Sequence, residues 1–68
     1  MVAIKVSDKT TDKILGIYAA TSIVEARSIL LVSGFTDVNT TWTRRETEEA
    51  EIIPFNPNID TKRMWSIP

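Results

Sequence analysis

Residues 22–34 read Ser-Ile-Val-Glu-Ala-Arg-Ser-Ile-Leu-Leu-Val-Ser-Gly, and this stretch carries both the start and the stop of a helix. Ser22 followed three positions later by Glu25 is a capping box, in which each side chain satisfies a backbone N–H that the first turn leaves over. Gly34 stands where a helix ends in a left-handed residue, a conformation that only glycine enters without a Cβ penalty. No other stretch shows helical spacing. One helix flanked by strand-like runs has one way to bury its apolar face, which is to lie as a lid on a sheet.

The flanking runs alternate with a period of two. Val2, Ile4 and Val6 alternate with Ala3, Lys5 and Ser7, which predicts a first strand. Residues 7–12 are polar and favour turns. Residues 14–20 form a second strand, with Leu15, Ile17 and Ala19 on one face and Ile14, Gly16, Tyr18 and Ala20 on the other. Placing Leu15 and Ile17 under the helix turns Tyr18 away from it. Gly16 marks a bulge or a close backbone approach. Beyond the helix, Phe35 plugs the end of the core. Residues 36–45 read as one long third strand, with Val38, Thr40 and Trp42 sharing a face. Residues 44–49 form a charged turn, and residues 50–55 a fourth strand that Pro54 confines to an edge or an end.

The predicted fold is therefore α+β: a two-layer sandwich of order β-β-α-β-β, one helix packed on an antiparallel-rich sheet. Residues 1–55 make the domain. Residues 56–68 make a C-terminal tail, docked through Met64, Trp65 and Ile67 on its own sheet, on the helix flank, or on a neighbouring chain. At 100° per residue, Ile23, Ala26, Ile29 and Leu30 share the buried face of the helix. Val24 and Leu31 flank it, and Val32 falls in the middle of the face left to water. That apolar arc is wider than a one-sided helix requires. Either a loop or the C-terminal tail covers it, or another chain does.

A chain of 68 residues buries a smaller fraction of its surface than a larger one. It contains no Cys and no His, so disulfides, thiolate or imidazole metal sites and nucleophile–histidine pairs are excluded. Its two glycines, Gly16 and Gly34, are too far apart for a phosphate loop. These absences argue against an enzyme and against a bound cofactor. Net charge is −1, from 8 basic and 9 acidic residues, without the basic excess of a general nucleic-acid binder. The N-terminal run lacks the pattern of a signal peptide, and no stretch is long enough to span a membrane. A cytoplasmic protein is expected.

Several side chains stand out as candidates for contact with a partner. Glu46, Glu48, Glu49 and Glu51 are the densest charge group. They suit a hard cation, a paired-carboxylate acid/base site, a basic partner surface, or a solvated turn that guards a strand edge. Arg44 and Arg45 close the third strand and present forked donors for carboxylate or phosphate, unless the nearby glutamates take them. Lys62 and Arg63 precede Met64 and Trp65, a basic and aromatic grouping of the kind that holds single-stranded nucleic acid. Tyr18 and Trp65 are candidates for an exposed or tail-covered aromatic patch, and Val32 for an apolar contact.

The run Ile17-Tyr18-Ala19, then Thr21, Glu25-Ala26, Gly34-Phe35 and Val38, resembles the hairpin–helix–strand pattern of the small RNA polymerase inhibitor of T-odd coliphages. The likeness covers about half of the chain. In that family, arginines on the strand after the helix contact the polymerase, and Arg44 and Arg45 lie in the corresponding region. Small anti-CRISPR proteins are similar in size and α+β style, without a shared motif. The resemblance implies a non-enzymatic viral protein that binds and inhibits or modulates a larger host protein complex, in host takeover or anti-defence. Two alternatives stand beside it: a structural protein that self-assembles through its tail or an edge strand, and a single-stranded nucleic-acid binder.

Overall fold

The computed structural model describes residues 1–58 and, beyond them, the backbone of the short strand Arg63–Met64. Among the described residues, the chain is an α+β sandwich of one helix on one sheet. Its elements run β1 (Val2–Asp8), β2 (Ile14–Ala20), α1 (Ile23–Val32), β3 (Thr36–Val38), β4 (Thr41–Arg44), β5 (Glu48–Pro54) and β6 (Arg63–Met64). The strand order is β3-β4-β5-β1-β2-β6. All neighbours are antiparallel except β2 and β6, which pair in parallel.

β1 is central because it alternates apolar residues at nearly every position and finds a partner on each side. Ile4 faces Tyr18 on β2 and Ile52 on β5. Ile4, Val6, Ala20, Ala50 and Trp42 point to the helix and meet Ala26, Ile29, Leu30 and Phe35 in one core cluster. The face away from the helix is mixed. Ala3 is fully buried between Ala19 and Ile53, while Lys5 and Glu51 form an ion pair of 3.7 Å toward the other end.

Both helix ends follow their sequence signals, the first with a change of partner. The Ser22 hydroxyl accepts from the N–H of Glu25 at 3.1 Å. The returning arm of the box goes elsewhere, since the Glu25 carboxylate accepts from the hydroxyl of Thr21. At the other end Gly34 has φ of 92°, its N–H bonds the carbonyl of Leu31, and the N–H of Phe35 bonds that of Leu30. That pair of bonds is a Schellman closure, and its usual apolar contact joins Phe35 to Leu30 in the core.

The third strand differs from the expectation. Asn39 and Thr40 both have positive φ, 53° and 76°, so the run breaks there into a two-residue turn between β3 and β4. Positive φ at both central residues defines the hairpin turn whose twist matches its flanking strands. The Asp37 carboxylate accepts from the Thr40 N–H at 3.2 Å and secures it. The break reverses the face assignment. Asp37 now lies opposite Trp42, and Val38 opposite Thr41. Val38 therefore leaves the face of Trp42 and is 50% exposed, while Trp42 is buried.

Tyr18 is the second correction. Gly16, Tyr18 and Ala20 face the helix, and Tyr18 packs on the core cluster. A register shift between Val6 and Ser7 sets the strand so that Ile14 pairs with Ser7, leaving Leu15 unpaired and 42% exposed. Gly16 leaves room for the ring. A Cβ built there would lie 2.7 Å from the Tyr18 hydroxyl oxygen. The small residue and the aromatic two positions on share one slot of the helix-facing surface.

Candidate interaction surface

The helix buries a narrower face than its sequence suggests. Ala26, Ile29 and Leu30 are buried. Ile23, expected with them, is 56% exposed. The outer pole is correspondingly rotated. Val24 and Leu31, expected as flanks, are the outermost apolar residues at 78% and 62% exposure, and Val32 sits to their side at 47%. Phe35 and Trp42 fill the core beneath the helix, and Ile23 lies outside it, at the rim of a groove that Trp42 and Ile52 also line. The crest thus presents Val24 and Leu31 one above the other, seven residues apart, with Arg27 and Ser28 between them.

Beside the crest lies a groove of about 240 Å³, lined by Ile23, Arg27, Asp37, Thr40, Trp42 and Ile52. Its geometry follows from the β3–β4 turn, which brings Asp37 to the helix side. The Arg27 guanidinium lies 5.9 Å over the ring of Trp42 and 4.0 Å from the Asp37 carboxylate. Trp42 packs beneath as core while its ring forms the groove floor. Arg27 and Asp37 were missed as a pair in the sequence because a continuous strand places Asp37 on the far face. The Asn-Thr dipeptide was the one available signal for the turn.

The arginines singled out in the sequence have local partners. Arg44 donates to Glu48 through Nε at 3.0 Å and Nη2 at 2.6 Å, donates to the carbonyl of Ser33 at 3.1 Å, and stacks 4.6 Å over Phe35. It ties the last turn of the helix to the β4–β5 hairpin, and its cation lies where the helix leaves carbonyls without partners. Arg45 contacts the second oxygen of Glu48 at 3.4 Å and stays 72% exposed.

Strand alternation divides the glutamates. Glu48 turns to the helix side with Arg44. Glu49 and Glu51 turn to the other face, where they line a second, polar recess of about 190 Å³ with Lys5, Ser7, Asp12 and Thr41. Glu46 sits exposed in the turn. Among the described residues, no three carboxylates converge as metal ligands, and no helix is long and apolar enough to cross a membrane. Trp65 and Lys62 lie outside the described residues, as do the side chains of Arg63 and Met64.

A scan against protein-family models and searches of curated proteins and of solved structures found no match to this chain.

Proposed function

We propose that this chain is a non-enzymatic binding protein, of the viral type that inhibits or modulates a larger host protein complex inside the cell, and that it docks through the crest of α1. The observation that carries this reading is the pair Val24 and Leu31 at the outer pole of the helix. Single exposed apolar residues are ordinary, but aligned ones on a regular element form a ridge that a partner can cover. The adjoining groove adds a charged rim of Arg27 and Asp37, and Arg is among the residues in which binding energy concentrates. The absence of Cys and His from the sequence supports the non-enzymatic part. The resemblance to small coliphage inhibitors supports the viral part.

The structure moves the emphasis among the candidate residues. Arg44 and Glu48 are engaged with each other, and Arg44 with the helix end, so the contact surface is better sought at Val24, Leu31, Ile23 and Arg27, with Val32 at its margin. The test is capture from a bacterial lysate by the tagged chain, in parallel with the Val24→Asp and Leu31→Asp variants. The reading expects a stoichiometric protein recovered by the native chain and lost, by tenfold or more, with both variants. Equal recovery by all three would remove the crest from the binding surface.

A further inference from the structure

We infer that the polar recess on the open face of the sheet, opposite α1, is a binding site for a guanidinium group. The recess shares no residue with the crest of α1 and stands independently of the docking reading. Strand alternation turns Lys5 and Ser7 of β1 and Glu49 and Glu51 of β5 to this face. The register sets Ser7 across from Glu49 and Lys5 across from Glu51. Asp12 joins them from the turn after β1, where its backbone has φ of 60°, and Thr41 from the start of β4.

Ser7 is the observation that points to a ligand. It is the buried polar residue of the described chain, at 6% exposure, and it lines the recess. Its hydroxyl has no hydrogen-bond partner among the described residues. Every fully enclosed side-chain N or O among them is satisfied. The Ser7 hydroxyl is therefore not sealed in, and it opens into the recess that it lines. A largely buried hydroxyl without a partner is destabilising, and a ligand that donates to it removes that cost.

The carboxylates decide the chemistry of that ligand. Lys5 lies 3.7 Å from Glu51 and compensates that charge. Glu49, half-buried, and Asp12, exposed at the rim, have no side-chain partner among the described residues. Three carboxylates against one ammonium leave the recess negative, and a concave surface of one sign concentrates the opposite ion. The carboxylates do not converge on one point as metal ligands, so a compact metal ion is not the occupant they suit. Separated acceptors suit a flat cation that carries five N–H donors in a fixed fork. Glu49 can take two of those donors as a charge-assisted pair. The Ser7 and Thr41 hydroxyls accept from others. At about 190 Å³ the recess is smaller than a site for a drug-sized molecule. It fits the head of one arginine side chain on another chain, or a small free guanidino compound.

The test is a titration of the isotope-labelled full chain at low ionic strength, followed by its backbone amide shifts. The probes are methylguanidinium and three blocked peptides, Gly-Arg-Gly, Gly-Lys-Gly and Gly-citrulline-Gly. Methylguanidinium and the arginine peptide should move the amides of Ser7, Asp12 and Glu49 and saturate with Kd on the order of 1 mM. The lysine peptide should bind at least about fivefold more weakly, because an ammonium is a point donor without the fork. The neutral citrulline peptide should leave those amides unmoved. Glu49→Gln should weaken binding about fivefold or more. Ser7→Ala should weaken it about threefold, and keeps the test decisive if Glu49→Gln disturbs the strand. Glu46→Gln removes the same charge from the exposed turn and should change Kd by less than about twofold. An arginine peptide that binds threefold or more tighter than methylguanidinium assigns the site to a chain-borne arginine, and otherwise it belongs to a free guanidino compound. No saturable shift with about 20 mM methylguanidinium overturns the inference. So does equal weakening by Glu49→Gln and Glu46→Gln, which would leave only general attraction between charges. Binding of the lysine peptide as tightly as the arginine peptide also overturns it.

Discussion

Arg44 and Phe35 are locked face to face: the guanidinium lies 4.6 Å over the ring while its nitrogens donate to the Glu48 carboxylate and the Ser33 carbonyl. One side chain thus closes the helix end, covers the core residue behind it and fixes the β4–β5 hairpin. Arg44→Ala should lower unfolding free energy by about 1–3 kcal/mol. Arg44→Lys should recover less than half of that loss, because an ammonium cannot reproduce the fork or the stacking. Urea titration of the two variants with Glu48→Gln, as a double-mutant cycle, measures the coupling. A cycle that closes to zero would reduce the contact to a surface ion pair.

Gly16 and Tyr18 compete for the same volume. Gly16→Ala should cost about 1–3 kcal/mol by forcing the ring aside. In a Tyr18→Ala background the same substitution should be nearly neutral. Thermal melts of the three variants and the parent read this out, and an equal cost in both backgrounds would place the strain in the backbone instead.

Leu30 and Leu31 are adjacent in sequence and opposite in environment, at 0% and 62% exposure. Leu30→Ala should lose about 2–5 kcal/mol, enough to unfold much of a domain this small. Leu31→Ala should stay within about 0.5 kcal/mol under dilute conditions. Chemical denaturation of the pair decides which face of the helix is inward.

Thr40 has a branched side chain at φ of 76°. Thr40→Gly completes the preferred Asn-Gly turn and should stabilise the protein by about 1 kcal/mol. A fall in the melting temperature would show that the Thr40 side chain contributes more than its backbone strain costs.

The sequence made the helix, its ends and the first hairpin readable, because capping residues and period-two alternation act locally. Ser22 and Gly34 do what their chemistry demands whatever packs nearby. The β3–β4 turn was hidden because Asn-Thr is an ordinary strand dipeptide and lacks the glycine that usually announces such a turn. That single miss displaced Asp37 from Trp42, and with it the groove. The face of Tyr18 was misread for another reason. Both faces of β2 are apolar, so alternation alone offers no preference, and the choice was made by the fit of an aromatic ring over Gly16. The helix crest was legible as an excess of apolar residues but not in its orientation, which depends on how far Phe35 and Trp42 fill the space below.

The register of β1 has a consequence for how the molecule comes into being. Val2 pairs with Pro54, so the central strand completes its hydrogen bonding only across nearly the whole described chain. Pairings of such long sequence separation are slow to form. During synthesis the first hairpin and the helix can assemble early, yet one edge of β1 stays open until the last full strand leaves the ribosome. Through that interval Val2, Ala3 and Ile4 are an unshielded template for pairing with another chain. Yield and solubility on expression should therefore depend more on residues 48–54 than on any earlier segment.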